Sequence, residues 1–138
     1  MSSNRILGPL AAAVLFLTSS AWAQGTAAKE PMSHGRTLSQ WIAELKAPAP
    51  QSRNAAAYEI SGMGPAAAPA VPALIEALGD DAPAVRFPVT VALGEIGPAA
   101  KDAVPRLMQM MEEEINDEVA AAARRAVRRI QPEALTGE

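Results

Sequence analysis

One set of apolar positions returns three times along the chain at helical spacing. Val71, Leu74, Ile75 and Leu78 follow i, i+3, i+4, i+7, the pattern of one face of an α-helix. The residues 33 positions later are Val104, Leu107, Met108 and Met111, and those 33 earlier are Leu38, Trp41, Ile42 and Leu45. All twelve are apolar. A second series lies between them at Val85, Val89, Ala92, Leu93 and Ile96. Its earlier copy is weaker (Ser52, Ala56, Glu59, Ile60, Met63), with Glu59 inside the apolar set. Its later copy is Val119, Ala123, Ala126, Val127 and Ile130 at an offset of 34, so one residue is inserted near Glu112 to Asp117. The spacing predicts six helices, over 37–46, 51–62, 69–79, 84–96, 102–114 and 117–130.

Residue identity repeats as well as polarity. Gly64-Pro65-Ala66-Ala67 returns as Gly97-Pro98-Ala99-Ala100, and Ala70-Val71-Pro72 with Leu74 returns as Ala103-Val104-Pro105 with Leu107. Alanine matches alone mean little in so Ala-rich a chain, but Gly-Pro and Val-Pro at a fixed offset do not follow from composition. Gly followed by Pro ends a helix, and Pro72 and Pro105 fall in a first turn, where a missing N–H costs little. Thr37 or Gly35 can start the first helix. Asp80-Asp81 before Pro83, and Asn116-Asp117-Glu118, read as N-cap and first-turn groups. Pro88, about a turn into the fourth helix, is expected to kink it or delay its start. A period of this length marks a stacked-repeat array, in which each unit buries its apolar face against its neighbours. Such an architecture argues against an enzyme.

This alternation resembles the HEAT-repeat family, specifically the short bacterial repeats related to those of phycobilisome lyases. The resemblance rests on Asp80-Asp81-Ala82-Pro83-Ala84-Val85-Arg86, on Ala92-Leu93-Gly94-Glu95-Ile96-Gly97-Pro98-Ala99-Ala100 and on Ala103-Val104-Pro105, and it spans about Gly35 to Ile130. The opening Gly35-Arg36-Thr37-Leu38-Ser39-Gln40-Trp41 looks like the lead-in of exported bacterial members. The resemblance implies an all-α fold, a short right-handed α-solenoid of about three stacked antiparallel helix pairs. It also implies a ladder of an Asp before a first helix and an Arg within it. That pair is present as Asp80 and Arg86, while the first unit has Arg53 but Ala47, and the last has Ala120 in place of Arg. The outer units are therefore expected to be less firmly registered than the middle one. The family also resembles di-iron hydroxylases built on His-Glu pairs, and this chain contains no His-Glu pair.

The start of the chain has a different character. Arg5, an apolar run through Leu10, Val14, Leu15, Phe16 and Leu17, and then Ala21-Trp22-Ala23 follow the order of a secretory signal peptide, with cleavage expected after Ala23. The run is shorter than the roughly 20 residues that span a bilayer. The expected organisation is a signal peptide at 1–23, a disordered polar spacer at 24–35, the repeat domain at 36–131 and a disordered tail at 132–138. The absence of Cys excludes a lipoprotein anchor and any disulfide. Loss of Arg5 with the signal takes the net charge from −3 to −4, which argues against a nucleic-acid partner. The expected location is periplasmic or extracellular, for a monomer with no stable membrane insertion after cleavage.

Groups that could carry chemistry are few. His34 is the only histidine and falls in the expected spacer, with no spaced partner for catalysis or for a metal. Glu112, Glu113, Glu114, Asp117 and Glu118 lack the alternating spacing of a calcium loop and suit the N-terminus of the last helix. Gly62-Met63-Gly64 lacks the strand and the Lys-Ser/Thr of a phosphate loop. Arg124, Arg125, Arg128 and Arg129 are expected to form a solvated face that caps the array. No catalytic residue, cofactor or metal ligand is expected.

The expected role is a non-enzymatic scaffold that binds a protein or peptide; the alternative is an accessory or chaperone-like subunit of an enzyme system of the phycobilisome-lyase kind. In stacked helix pairs the helices beginning near Thr37, Pro69 and Asp102 line the concave side. Their outward ridge is Gln40, Ala43 and Glu44, then Ala73, Glu76 and Ala77, then Arg106, Gln109 and Met110. That ridge is the candidate partner surface, with Met110 as an exposed methionine off the apolar face.

Overall fold

The computed structural model describes residues 29–137. The expected signal peptide lies outside them. From residue 31 onward the chain forms an all-α repeat domain with a small hairpin at its start.

Two-residue strands β1 (Met32–Ser33) and β2 (Arg36–Thr37) pair antiparallel, Met32 with Thr37 and Ser33 with Arg36. His34 and Gly35 join them with φ of 47° and 75°, the left-handed pair that a tight hairpin requires. The expected spacer therefore fails from residue 31 on. Backbone pairing, a 2.8 Å bond from Leu38 N–H to Pro31 O and a 3.1 Å bond from Trp41 Nε1 to Ser33 O fasten this segment to the first helix.

Six α-helices follow among the described residues: α1 (Leu38–Glu44), α2 (Pro50–Gly62), α3 (Val71–Ala77), α4 (Pro83–Ile96), α5 (Val104–Glu113) and α6 (Asp117–Ile130). Thr37 starts α1 with a capping box: Gln40 N–H donates to Thr37 Oγ1 at 3.3 Å, and Thr37 N–H donates to Gln40 Oε1 at 2.9 Å. Asn116 caps α6 by accepting from Glu118 and Val119 N–H, both at 3.1 Å. Asp80 acts differently from the expected N-cap. Ala82 holds that position, and Asp80 Oδ1 accepts its N–H at 3.0 Å.

The Gly-Pro repeats do more than end helices. Gly64 and Gly97 turn the chain with φ of 57° and 79°, and 3₁₀ segments Gly64–Ala70 and Gly97–Ala103 follow. Here α3 and α5 begin at Val71 and Val104, two residues later than the apolar spacing suggests. A third 3₁₀ turn, Pro132–Leu135, lays Ala134 and Leu135 against the core, so the expected disordered tail is structured there.

Pro88 neither delays nor ends α4, which starts at Pro83 and continues to Ile96. Proline removes the N–H that would bond to Ala84 O four residues earlier. The Asn54 side chain, on α2, donates to that carbonyl instead. A neighbouring repeat thus satisfies the acceptor that the ring leaves open.

The long helices α2, α4 and α6 form one layer, with their most extensive contacts between α2 and α4 and between α4 and α6. The shorter α1, α3 and α5 form the other and touch one another much less. The core lies between the layers. Trp41, Leu74 and Leu107, equivalent in the repeat, are all buried, as are Ile60, Leu93 and Val127 in the long helices. At Gly94 the helices α4 and α6 come close: a Cβ there would lie 3.2 Å from Ala126 Cα. This is the packing density that small residues permit.

Candidate functional site

The short-helix layer carries two adjoining grooves. The first, of about 220 Å³ between α1 and α3, is lined by Leu45, Lys46, Ala73, Glu76, Ala77, Gly79 and Asp80. The second, of about 370 Å³ between α3 and α5, is lined by Leu78, Gly79, Asp80, Asp81, Arg86, Arg106, Met110, Glu113, Glu114 and Ile115. Gly79 and Asp80 belong to both. The grooves follow from the local sequence. Ala73, Ala77 and Gly79 leave α3 without bulk on its flanks, so the facing helices are not filled in.

Of the expected ridge, the structure brings Ala73, Glu76 and Ala77 together in the first groove and puts Arg106 and Met110 in the second. Gln40, Glu44 and Gln109 line neither. Gln40 is engaged in the capping box of α1, and Glu44 lies 3.4 Å from Arg36, whose guanidinium stacks 4.4 Å above the Trp41 ring. Gln109 bridges Arg106 and Glu113, at 2.7 and 2.8 Å. Met110 is a correction: its side chain is 3% exposed and forms groove floor. The buried face of α5 runs through Val104, Leu107 and Met110, turned away from Met108 and Met111, which are only partly buried. Ile115 lies outside the expected ridge. It stands at the lip of the second groove and is 96% exposed.

Below the grooves runs a ladder of partly buried ion pairs. Arg53 on α2 reaches Asp80 with two bonds, Nε to Oδ2 at 2.6 Å and Nη2 to Oδ1 at 3.0 Å. Arg86 on α4 reaches Glu114 in the same way, at 2.7 and 2.8 Å. Each Arg also donates through Nη1 to two carbonyls of the preceding turn, Ala47 and Pro48 for Arg53, Asp80 and Asp81 for Arg86. The expected pairing of Asp80 with Arg86 is thereby corrected. Each guanidinium crosses to the acid of the next unit, so both outer units are tied to the middle one. Hydrogen bonds from Arg53 hold the Asp80 carboxyl below its ordinary range, against the opposing effect of burial. Arg86 does the same for Glu114. Both guanidinium pKa values rise for the reciprocal reason.

Glu59 also has its explanation. Its carboxylate accepts from the Ser33 hydroxyl and lies 2.8 Å from His34 Nδ1. The Ser33 hydrogen bond first, and His34 next, lower its pKa. This cluster pins the hairpin to α2. Ser33 and His34 both address the same carboxylate oxygen, which is not the relay of a nucleophile, base and acid in series. His34 therefore makes a surface contact with α2, its side chain still 78% exposed, and is not part of a free spacer.

Helix pairs stacked by a recurring interlayer Arg–acid ladder, with Gly-Pro turns between them, define a repeat class. The profile for HEAT repeats matches residues 38–128. This chain belongs to the HEAT-repeat family. No curated protein matches it. HEAT repeats commonly serve as protein-interaction scaffolds, and the family is typically non-enzymatic. Among the described residues no helix is long and apolar enough to cross a membrane, and no three His, Cys, Asp or Glu side chains form a group that could hold a metal ion.

Proposed function

We propose that this HEAT-repeat chain is an exported, monomeric, non-enzymatic scaffold that seats a protein or peptide in the two grooves of its short-helix layer. The observation that carries the reading is their continuity. Two grooves share Gly79 and Asp80, have small-residue walls at Ala73 and Ala77, and expose an apolar side chain at Ile115. Small walls let a second backbone approach closely, while the Lys46–Glu76 pair at 3.2 Å supplies polar groups at the rim. Export is supported by the charge, apolar run and Ala-x-Ala order before Gln24. Similarity of the opening Gly35-Arg36-Thr37-Leu38-Ser39-Gln40-Trp41 to the lead-in of exported bacterial members supports the same reading.

The test uses the exported protein and its own envelope fraction. N-terminal sequencing should read from Gln24; a full-length membrane-embedded product overturns export. Capture of a defined partner should fall about tenfold or more in Ala77→Arg, a change of about 1.4 kcal/mol per decade, with the melting temperature unaltered. Arg106→Glu should act in the same direction. Undiminished capture by both variants places the partner elsewhere. A captured pigment-protein or enzyme would favour the accessory-subunit role over a scaffold.

A further inference from the structure

The outer face of α6 holds the stack position through which one helix of the long layer meets the next, but with Arg where α4 has Thr and Gly. In α4 the stripe through Thr90 and Gly94 turns toward α6: Thr90 is buried, and Gly94 abuts the Ala126 backbone. The residues 34 positions later, in α6, are Arg124 and Arg128. Both are exposed, one helical turn apart, and no described helix covers them. Neither they nor Arg125 are paired with a carboxylate among the described residues.

From this we infer that the outer face of α6 is a second docking surface, and that its partner is a helix presenting carboxylates one turn apart. A polar face is enough to cap a repeat array. Concentrating unneutralised guanidinia on one stripe, in a chain of net charge −3, exceeds that need. The molecule already shows the contact on the other side of α6. Glu95 on α4 takes Arg129 in a two-bond fork, Nη1 to Oε1 at 2.7 Å and Nη2 to Oε2 at 3.0 Å. Glu95 and Arg129 are themselves 34 residues apart, so a carboxylate–guanidinium fork between successive long helices is the native contact at this level of the stack. A further regular repeat is not the fitting occupant. The ladder Arg that would hold it is Ala120 in α6.

Titration of the full chain with a synthetic helical peptide carrying Glu at i and i+4, near physiological salt, tests this surface independently of the grooves. Binding is expected to weaken about tenfold or more when the peptide Glu residues become Gln, and equally in the Arg124→Glu/Arg128→Glu variant. Arg124→Gln/Arg128→Gln serves if charge reversal lowers the melting temperature, and Ala77→Arg should leave this binding intact. Equal peptide binding by wild type and the Gln variant overturns the proposal. So does tighter binding of phosphatidylglycerol vesicles or of a single-stranded oligonucleotide than of the Glu peptide, since the face would then read phosphate.

Discussion

Two forked Arg–carboxylate contacts in this molecule have nearly the same geometry and different surroundings. Arg86 meets Glu114 at 2.7 and 2.8 Å, and Arg129 meets Glu95 at 2.7 and 3.0 Å. The Arg86 and Glu114 side chains are 17% and 7% exposed, whereas those of Arg129 and Glu95 are 56% and 36% exposed. Glu114 also accepts the Asn116 N–H at 3.0 Å, and Arg86 holds two backbone carbonyls. Loss of the inner guanidinium strands a shielded carboxylate and frees the Asp80 and Asp81 carbonyls of the preceding turn. Loss of the outer one returns a carboxylate to water. Distance alone does not rank ion pairs; what each partner would face without the other does.

The largest test breaks the inner contact. Arg86→Met should lower unfolding free energy by about 3 kcal/mol, the low end for an uncompensated buried charge because some solvent reaches Arg86. Adding Glu114→Met should recover most of that in chemical denaturation. A double variant no better than the single one would mean that the carbonyl bonds, not the charge pair, dominate.

Acid should reach the same contact without mutation. The Asp80 and Glu114 pKa values are lower in the fold than their ordinary 3.8 and 4.5. Their contribution is therefore complete above those ordinary values and is lost as pH falls through the depressed folded ones. Melting temperature should decline below about pH 4.5, where unfolded carboxylates begin to take up protons. The decline should be shallower in Arg86→Met. An identical slope in both proteins would detach the acid response from the ladder.

The smallest effect belongs to the outer contact. Arg129→Ala should cost only about 0–1 kcal/mol, the range of exposed pairs. A melt as low as that of Arg86→Met would refute the contrast between the two forks.

The sequence register carries much of this, with instructive gaps. Trp41, Leu74 and Leu107 are legible as core because a period of 33 superimposes three helical faces, and all three are buried. The offset of 34 that finds α6 also carries Asp80 onto Glu114, yet Glu114 sits among Glu112 and Glu113 and reads as part of an acidic turn. Its distinct role depends on which carboxylate points toward α4. Met110 reads as exposed because a helical wheel shows one helix, whereas burial in α5 is set by two neighbours. Glu59 reads as a flaw in an apolar stripe until the hairpin delivers Ser33 and His34 to it.

What the sequence determined alone is therefore local and periodic: six helices, their breaks at Gly-Pro, the repeat length and the residues facing the core. These follow from backbone preferences and from the spacing of apolar side chains, which act within one helix. What only the tertiary structure decided are the contacts between units. Arg53 chooses Asp80 and Arg86 chooses Glu114, Asn54 completes the carbonyl that Pro88 leaves open, and the grooves open where α3 lacks bulk. Each depends on the displacement of one helix pair against the next, a quantity set by the sum of packing across the layer and by no single stretch of chain.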